Sequence, residues 1–170
     1  IPLCLVGSEM CIRDRVTLGN DNSTLVDFSG TTYDIGGTDA TQLLVKSTSS
    51  GEAITFTGSG ATTITTADGA VTMSSGTTSI AQNLTINTVG APITINAVVG
   101  SSTDKSLTLN ADATANGTTG SADGETITIG AIGDGNEIGA VTLDAADGIT
   151  LKGNIAVSYT HLRAHETQRY

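Results

Sequence analysis

The chain has 170 residues, a formal charge of −10 and only 3% aromatic residues. No apolar run reaches the roughly 18–20 residues that a membrane-crossing helix needs. Seventeen acidic against seven basic residues argue against binding nucleic-acid phosphates or an anionic membrane surface, because both would repel it.

The two ends come first in chain order. Read forwards from Ile1 and backwards from Tyr170, fourteen successive residue pairs can be encoded by reverse-complementary codons, ending at Asp14 and Val157. Met10 (ATG) faces His161 (CAT), and Glu9 (GAG) faces Leu162 (CTC). Arg15/Ala156 is ambiguous, and Val16/Ile155 has no complementary codons. An adapter ligated in inverted orientation at both ends of an insert produces this pattern automatically. The strings Leu5–Arg15 and Val157–Thr167 also resemble a translated transposase-type sequencing adapter. Residues 1–15 and 157–170 are therefore read as adapter-derived and set aside. The protein proper is 16–156, with both natural termini expected to lie beyond it.

This division removes most of the reactive chemistry. Cys4, Cys11, His161, His165 and all four arginines fall in the end segments. The cysteine pair thus implies neither a disulfide nor a metal site. The central segment keeps Lys46, Lys105 and Lys152 against fourteen acidic residues, a formal charge of −11. It is long enough for one domain with its own core, and is dominated by Thr and Gly.

Strands are expected where an apolar–Thr–apolar unit recurs, because period-2 alternation gives one buried face. In chain order these are Val16–Leu18, Thr24–Phe28, Gln42–Lys46, Ile54–Phe56 and Val71–Met73. They continue as Leu84–Ile86, Ile93–Ile95, Leu107–Leu109, Ile127–Ile129, Val141–Leu143 and Ile149–Leu151. Thr suits the outward positions, being β-branched and at home on a pleated surface. Corners are expected at Gly58-Ser59-Gly60, Asp68-Gly69, Asn116-Gly117, Asp123-Gly124, Gly133-Asp134-Gly135 and Asp147-Gly148. No segment shows a sustained helical period.

The central threonines recur at 72 and 94, and at 85, 108, 128 and 150. Such spacings fall in the range of roughly 20–25 residues that predicts a β-solenoid, here a parallel β-helix of about six or seven coils spaced about 4.8 Å apart. Asn87, Asn96 and Asn110, each closing an apolar-Thr-apolar-Asn block, are expected at corners or in amide ladders. The alternative is an antiparallel β-sandwich, which also has short strands and frequent turns.

The blocks Gly69–Met73, Leu84–Gly100, Ser106–Gly120 and above all Gly139–Ile155 (GAVTLDAADGITLKGNI) resemble repeats of large bacterial surface proteins of the filamentous haemagglutinin and autotransporter-passenger type. The resemblance covers roughly 51–156. It implies a right-handed parallel β-helix, export to the cell surface, and an adhesive or stalk-like role. Host-cell or surface glycans or proteins would be its partners. It transfers no functional residue, since such repeats are structural.

The expectation is a non-enzymatic segment with no catalytic, cofactor-binding or metal-ligating residue. The rival readings are a carbohydrate-active β-helix enzyme and a calcium-dependent surface module. The enzyme needs grouped carboxylates with a basic partner. Asp144 and Asp147 are its nearest approach, read here as turn residues. Calcium would use Gly133-Asp134-Gly135-Asn136-Glu137, an oxygen-rich loop that occurs once. The sequons at Asn22, Asn83 and Asn116 are expected by chance in so Thr-rich a chain. A fragment of this kind would expose unpaired strand edges at both ends and associate through them, with the adapter tails as loose caps.

Overall fold

The computed structural model describes residues 15–20, 25–35, 41–47, 54–73, 76–101, 104–112 and 124–160. Among these residues there is no helix, and the strands fall by pairing into six tiers. Tier 1 holds β1 (Arg15–Leu18), β2 (Val26–Phe28) and β3 (Thr32–Ile35). Tier 2 holds β4 (Gln42–Val45), β5 (Ile54–Phe56) and β6 (Thr62–Thr66). Tier 3 holds β7 (Val71–Met73), β8 (Thr78–Ile80) and β9 (Leu84–Thr88). Tier 4 has a long β10 (Ile93–Gly100) and β11 (Ser106–Asn110), and tier 5 a long β12 (Thr126–Ile132) and β13 (Ile138–Asp144). Tier 6 has β14 (Gly148–Leu151) and β15 (Val157–Thr160).

Every pairing between these strands is parallel. This overturns the antiparallel sandwich, whose hairpins would pair neighbours in sequence. Here each strand pairs with its counterpart one tier away, giving a nine-stranded and a six-stranded sheet. The larger sheet has two columns. The first half of β10 pairs with β7 and its second half with β8, so the columns fuse in tier 4. The pairing of β10 with β12 is interrupted at Asn96 and Gly130, between the pairs Ile95↔Ile129 and Ala97↔Ala131. Only glycine fits at 130, because a Cβ there would overlap the Asn96 carbonyl oxygen.

The core is a set of ladders, each tier contributing one inward side chain, apolar in most and threonine in a few. Leu18, Val45, Met73, Ile95, Ile129 and Leu151 form one continuous register. Tyr33, Ile64, Ile86, Leu109 and Leu143 form another in the six-stranded sheet. The middle tiers are sealed, with Val71, Ile93, Leu107 and Ile127 all at 0% exposure. Phe28 stacks on Phe56 at 4.7 Å and meets Tyr33 edge-on at 5.2 Å. All three aromatic residues of the central segment thus gather between tiers 1 and 2.

Three differences from the sequence reading have physical causes. β3, β6 and β8 lie outside the expected strands, because TYDI, TTITT and TSI lack the apolar–Thr–apolar unit. In β6 the buried positions are Thr62, Ile64 and Thr66, so threonine faces inward as well as outward. The step from Thr108 to Thr128 is not a tier. Thr108 pairs with Thr142 and Thr128 with Thr94, whereas the steps from 72 to 94, 85 to 108 and 128 to 150 are true pairings. Finally, Val157–Thr160 is no loose cap. It adds to β13 as β15, since an open edge accepts a segment rich in Val, Tyr and Thr.

Candidate functional site

The outward faces are built from the same ladders as the core, one residue out of phase. On the six-stranded sheet Thr32, Thr63, Thr85, Thr108 and Thr142 lie in one register. Beside them run Asp34, Thr65, Asn87, Asn110 and Asp144. Asn87 and Asn110 therefore stack one above the other, as the repeated block implies, and the Asn110 Oδ1 accepts the Asp112 N–H at 2.9 Å to turn the chain. On the larger sheet the outward register is Thr17, Leu44, Thr72, Thr94, Thr128 and Thr150. Most of these are short, β-branched side chains, which leaves broad faces with little relief.

Concavity appears where the two columns of the larger sheet meet. Thr94, Asn96, Ala97, Thr128, Lys152 and Gly153 are among the residues lining a depression of about 520 Å³ there. Asn96 is fixed beside it by donating its Nδ2–H to the Gly76 carbonyl at 2.9 Å. Gly153 lets the last tier close in, since a Cβ would lie 2.7 Å from the Ala131 nitrogen. The lining offers hydroxyls, one amide and one ammonium. None of its lining residues is a carboxylate, so it lacks the acid–base pair that glycoside or lyase chemistry uses. The sequence held no signal for this groove, because Asn96 and Lys152 are far apart in the chain and come together only through tier stacking.

The residues singled out in sequence do not converge. Asp144 lies on the six-stranded sheet, while the Asp147 Oδ2 accepts the Glu125 N–H at 3.2 Å and closes a corner. The Gly133–Glu137 loop also serves as a corner. Gly133 and Gly135 take φ of 73° and 87°, the Gly133 N–H bonds the Val98 carbonyl at 2.7 Å, and the Asn136 carbonyl receives the Gly100 N–H at 3.2 Å. Another corner collects acidic groups. Asp68 and the 2%-exposed Glu125 both approach Gly90, and the Asp112 Oδ1 is buried just after β11. Among the described residues no group of three or more His, Cys, Asp or Glu is placed to hold a metal ion.

Lys105 pairs with its neighbour Asp104 at 3.1 Å, on a different strand connection from Lys152. The Asn83 carboxamide accepts the Ser106 N–H at 3.0 Å. The sequons at Asn22 and Asn116, the Asn116-Gly117 corner, and Cys4, Cys11, His161 and His165 lie outside the described residues. No helix among the described residues is long and apolar enough to cross a membrane. No family model, no curated protein and no solved structure matches this chain.

Proposed function

We propose that this chain is a segment of a right-handed parallel β-helix that acts as a rigid spacer or adhesive display region of a large bacterial surface or secreted protein. The observation that carries this reading is the unbroken register of side chains through six tiers, inward and outward alike. Each tier then contributes the same kind of surface to a rod, which is what a spacer needs and what a single catalytic pocket does not. The resemblance of Gly139–Ile155 to haemagglutinin-type repeats supports the same role, and the −10 charge keeps an exported rod soluble. The partners in this reading are glycans or proteins on host cells or neighbouring surfaces, met by the flat Thr-rich faces. No cofactor or metal takes part.

The test is surface exposure on the source organism. An antiserum raised against this chain should label intact, unpermeabilised cells or the culture medium, and external protease should strip the cell-bound signal. Labelling that requires permeabilisation would refute the surface role. The calcium reading is tested in parallel: melting of the purified chain should be the same in excess Ca²⁺ and in chelator.

A further inference from the structure

We propose that copies of this chain join head to tail, with tier 6 of one copy docking on tier 1 of the next so that the ladders of the larger sheet run through the junction. Among the described residues, every partly buried apolar side chain packed on the core belongs to tier 1 or tier 6. The two exposed large apolar residues among those described, Leu25 at 56% and Leu151 at 40%, also belong to these two tiers. The residual apolar surface of the stack therefore sits at its ends, where a further strand would cover it.

In the larger sheet the two ends match each other, whereas in the six-stranded sheet β15 lies in register with 138–141 and β3 with 142–144, so that column does not continue. Leu18 opens the ladder that Leu151 closes, Val16 opens the ladder that Ile149 closes, and Thr17 and Thr150 are the outward members between them. Placed as the next tier, Val16-Thr17-Leu18 continues Ile149-Thr150-Leu151 inward on inward and outward on outward. In the second column Val26 opens the register that runs through Ile54, Thr78, Val98 and Ile132 to the Ile155 bridge. A flipped copy cannot reproduce this, because its columns run around the tier in the opposite sense and at most one strand meets its counterpart. The contact is thus heterologous and does not close, so it generates an open series of oligomers. Each copy adds about 29 Å, six tiers at the usual strand spacing. With −10 on every copy, repulsion opposes the junction and salt relieves it.

This proposal uses the ladder pairings alone, so its failure would leave the surface role untouched. Sedimentation of the purified full chain should give a ladder of species that grows with protein concentration and with salt. Leu18→Lys and Leu151→Lys each place a charge on one end, where the long side chain can reach past the open edge. Each variant alone should be monomeric, with unchanged far-ultraviolet dichroism, and an equimolar mixture should give dimers and nothing larger. A second readout does not depend on those variants folding. In a chain carrying Cys4→Ser and Cys11→Ser, Thr17→Cys should form disulfides with a Thr150→Cys chain and not with itself. A wild-type chain that stays monomeric at high concentration and salt overturns the proposal, because the ends are then covered by the chain itself. Dimers of Leu151→Lys alone, or Thr17→Cys self-pairs, overturn it in favour of a face-to-face contact.

Discussion

Gly133 and Gly135 stand close together in one corner, with φ of 73° and 87°, yet they do different jobs. At 133 a Cβ would run into the Ala156 carbonyl oxygen, while at 135 it meets nothing within 4 Å. Gly135→Ala should therefore cost only the left-handed backbone penalty, about 1–2 kcal/mol. Gly133→Ala adds a backbone collision and should cost about 2–4 kcal/mol. Urea midpoints of the two variants check this, and equal losses would show that the close approach to Ala156 is relieved by a small shift. Thr62 makes a second residue-level case. Its hydroxyl donates to the Gly30 carbonyl at 3.0 Å and accepts the Gln82 Nε2–H at 2.9 Å, linking tiers 1, 2 and 3 from a fully buried position. Thr62→Val keeps the shape but strands both partners, and should cost about 1–3 kcal/mol of stability. Thr66 and Thr88 bury their hydroxyls similarly against the carbonyls of Gly69 and Ala91 at successive corners. Nothing in the composition signals these bonds. It marks Thr as a surface strand former, and only the corner carbonyls decide that a hydroxyl can be satisfied inside.

At the scale of the element, legibility follows the apolar residue. Each of the nine apolar–Thr–apolar units falls in a strand, and Ile93↔Ile127 and Leu84↔Leu107 pair as units of one kind. Where the unit inverts to polar–apolar–polar, as in β6, the strand is invisible in sequence, because a lone Ile64 carries no period. Tier membership is less legible than strand position. Spacing cannot say which sheet a strand joins, so Thr128 follows Thr108 in the count although it lies on the other sheet. The groove at Asn96 and Lys152 is illegible for the same reason, being a product of which tiers stack. The aromatic contact, by contrast, has a plain sequence correlate: Phe28 and Phe56 each end a strand, one tier apart, and pair directly. Phe56 is fully buried and stacked, so Phe56→Ala should lose about 3–5 kcal/mol. Thr55→Ala, on the outward face of the same strand, should lose under about 1 kcal/mol, its hydroxyl bond to Asp27 being exposed. Thermal or urea unfolding of the pair tests whether β5 is anchored from inside or outside.

For the whole molecule, stability is a sum over tiers and their junctions, since each tier touches chiefly the one before and the one after. Among the described residues the end tiers have one junction each and partly exposed ladders, whereas the middle tiers have two and are sealed. Native-state hydrogen exchange should therefore be slowest in β7, β9, β10 and β11 and fastest in β1 and β14, grading between them. Uniform protection along the chain would mean that all tiers open together rather than fraying from the ends.

The long step between tiers 4 and 5 has a consequence of its own. The neighbouring steps, from 72 to 94 and from 85 to 108, are shorter, yet Ile93↔Ile127 and Leu107↔Val141 keep the same inward register. The segment 113–123 is thus extra chain length admitted without disturbing the ladders on either side. Closing a longer excursion is cheap, about 0.6 kcal/mol for each doubling of its length. A foreign peptide spliced between Asp112 and Gly124 should leave the melting temperature within a few degrees of the parent. Chain length can therefore change between tiers 4 and 5 while the registers of the tiers on either side stay unchanged.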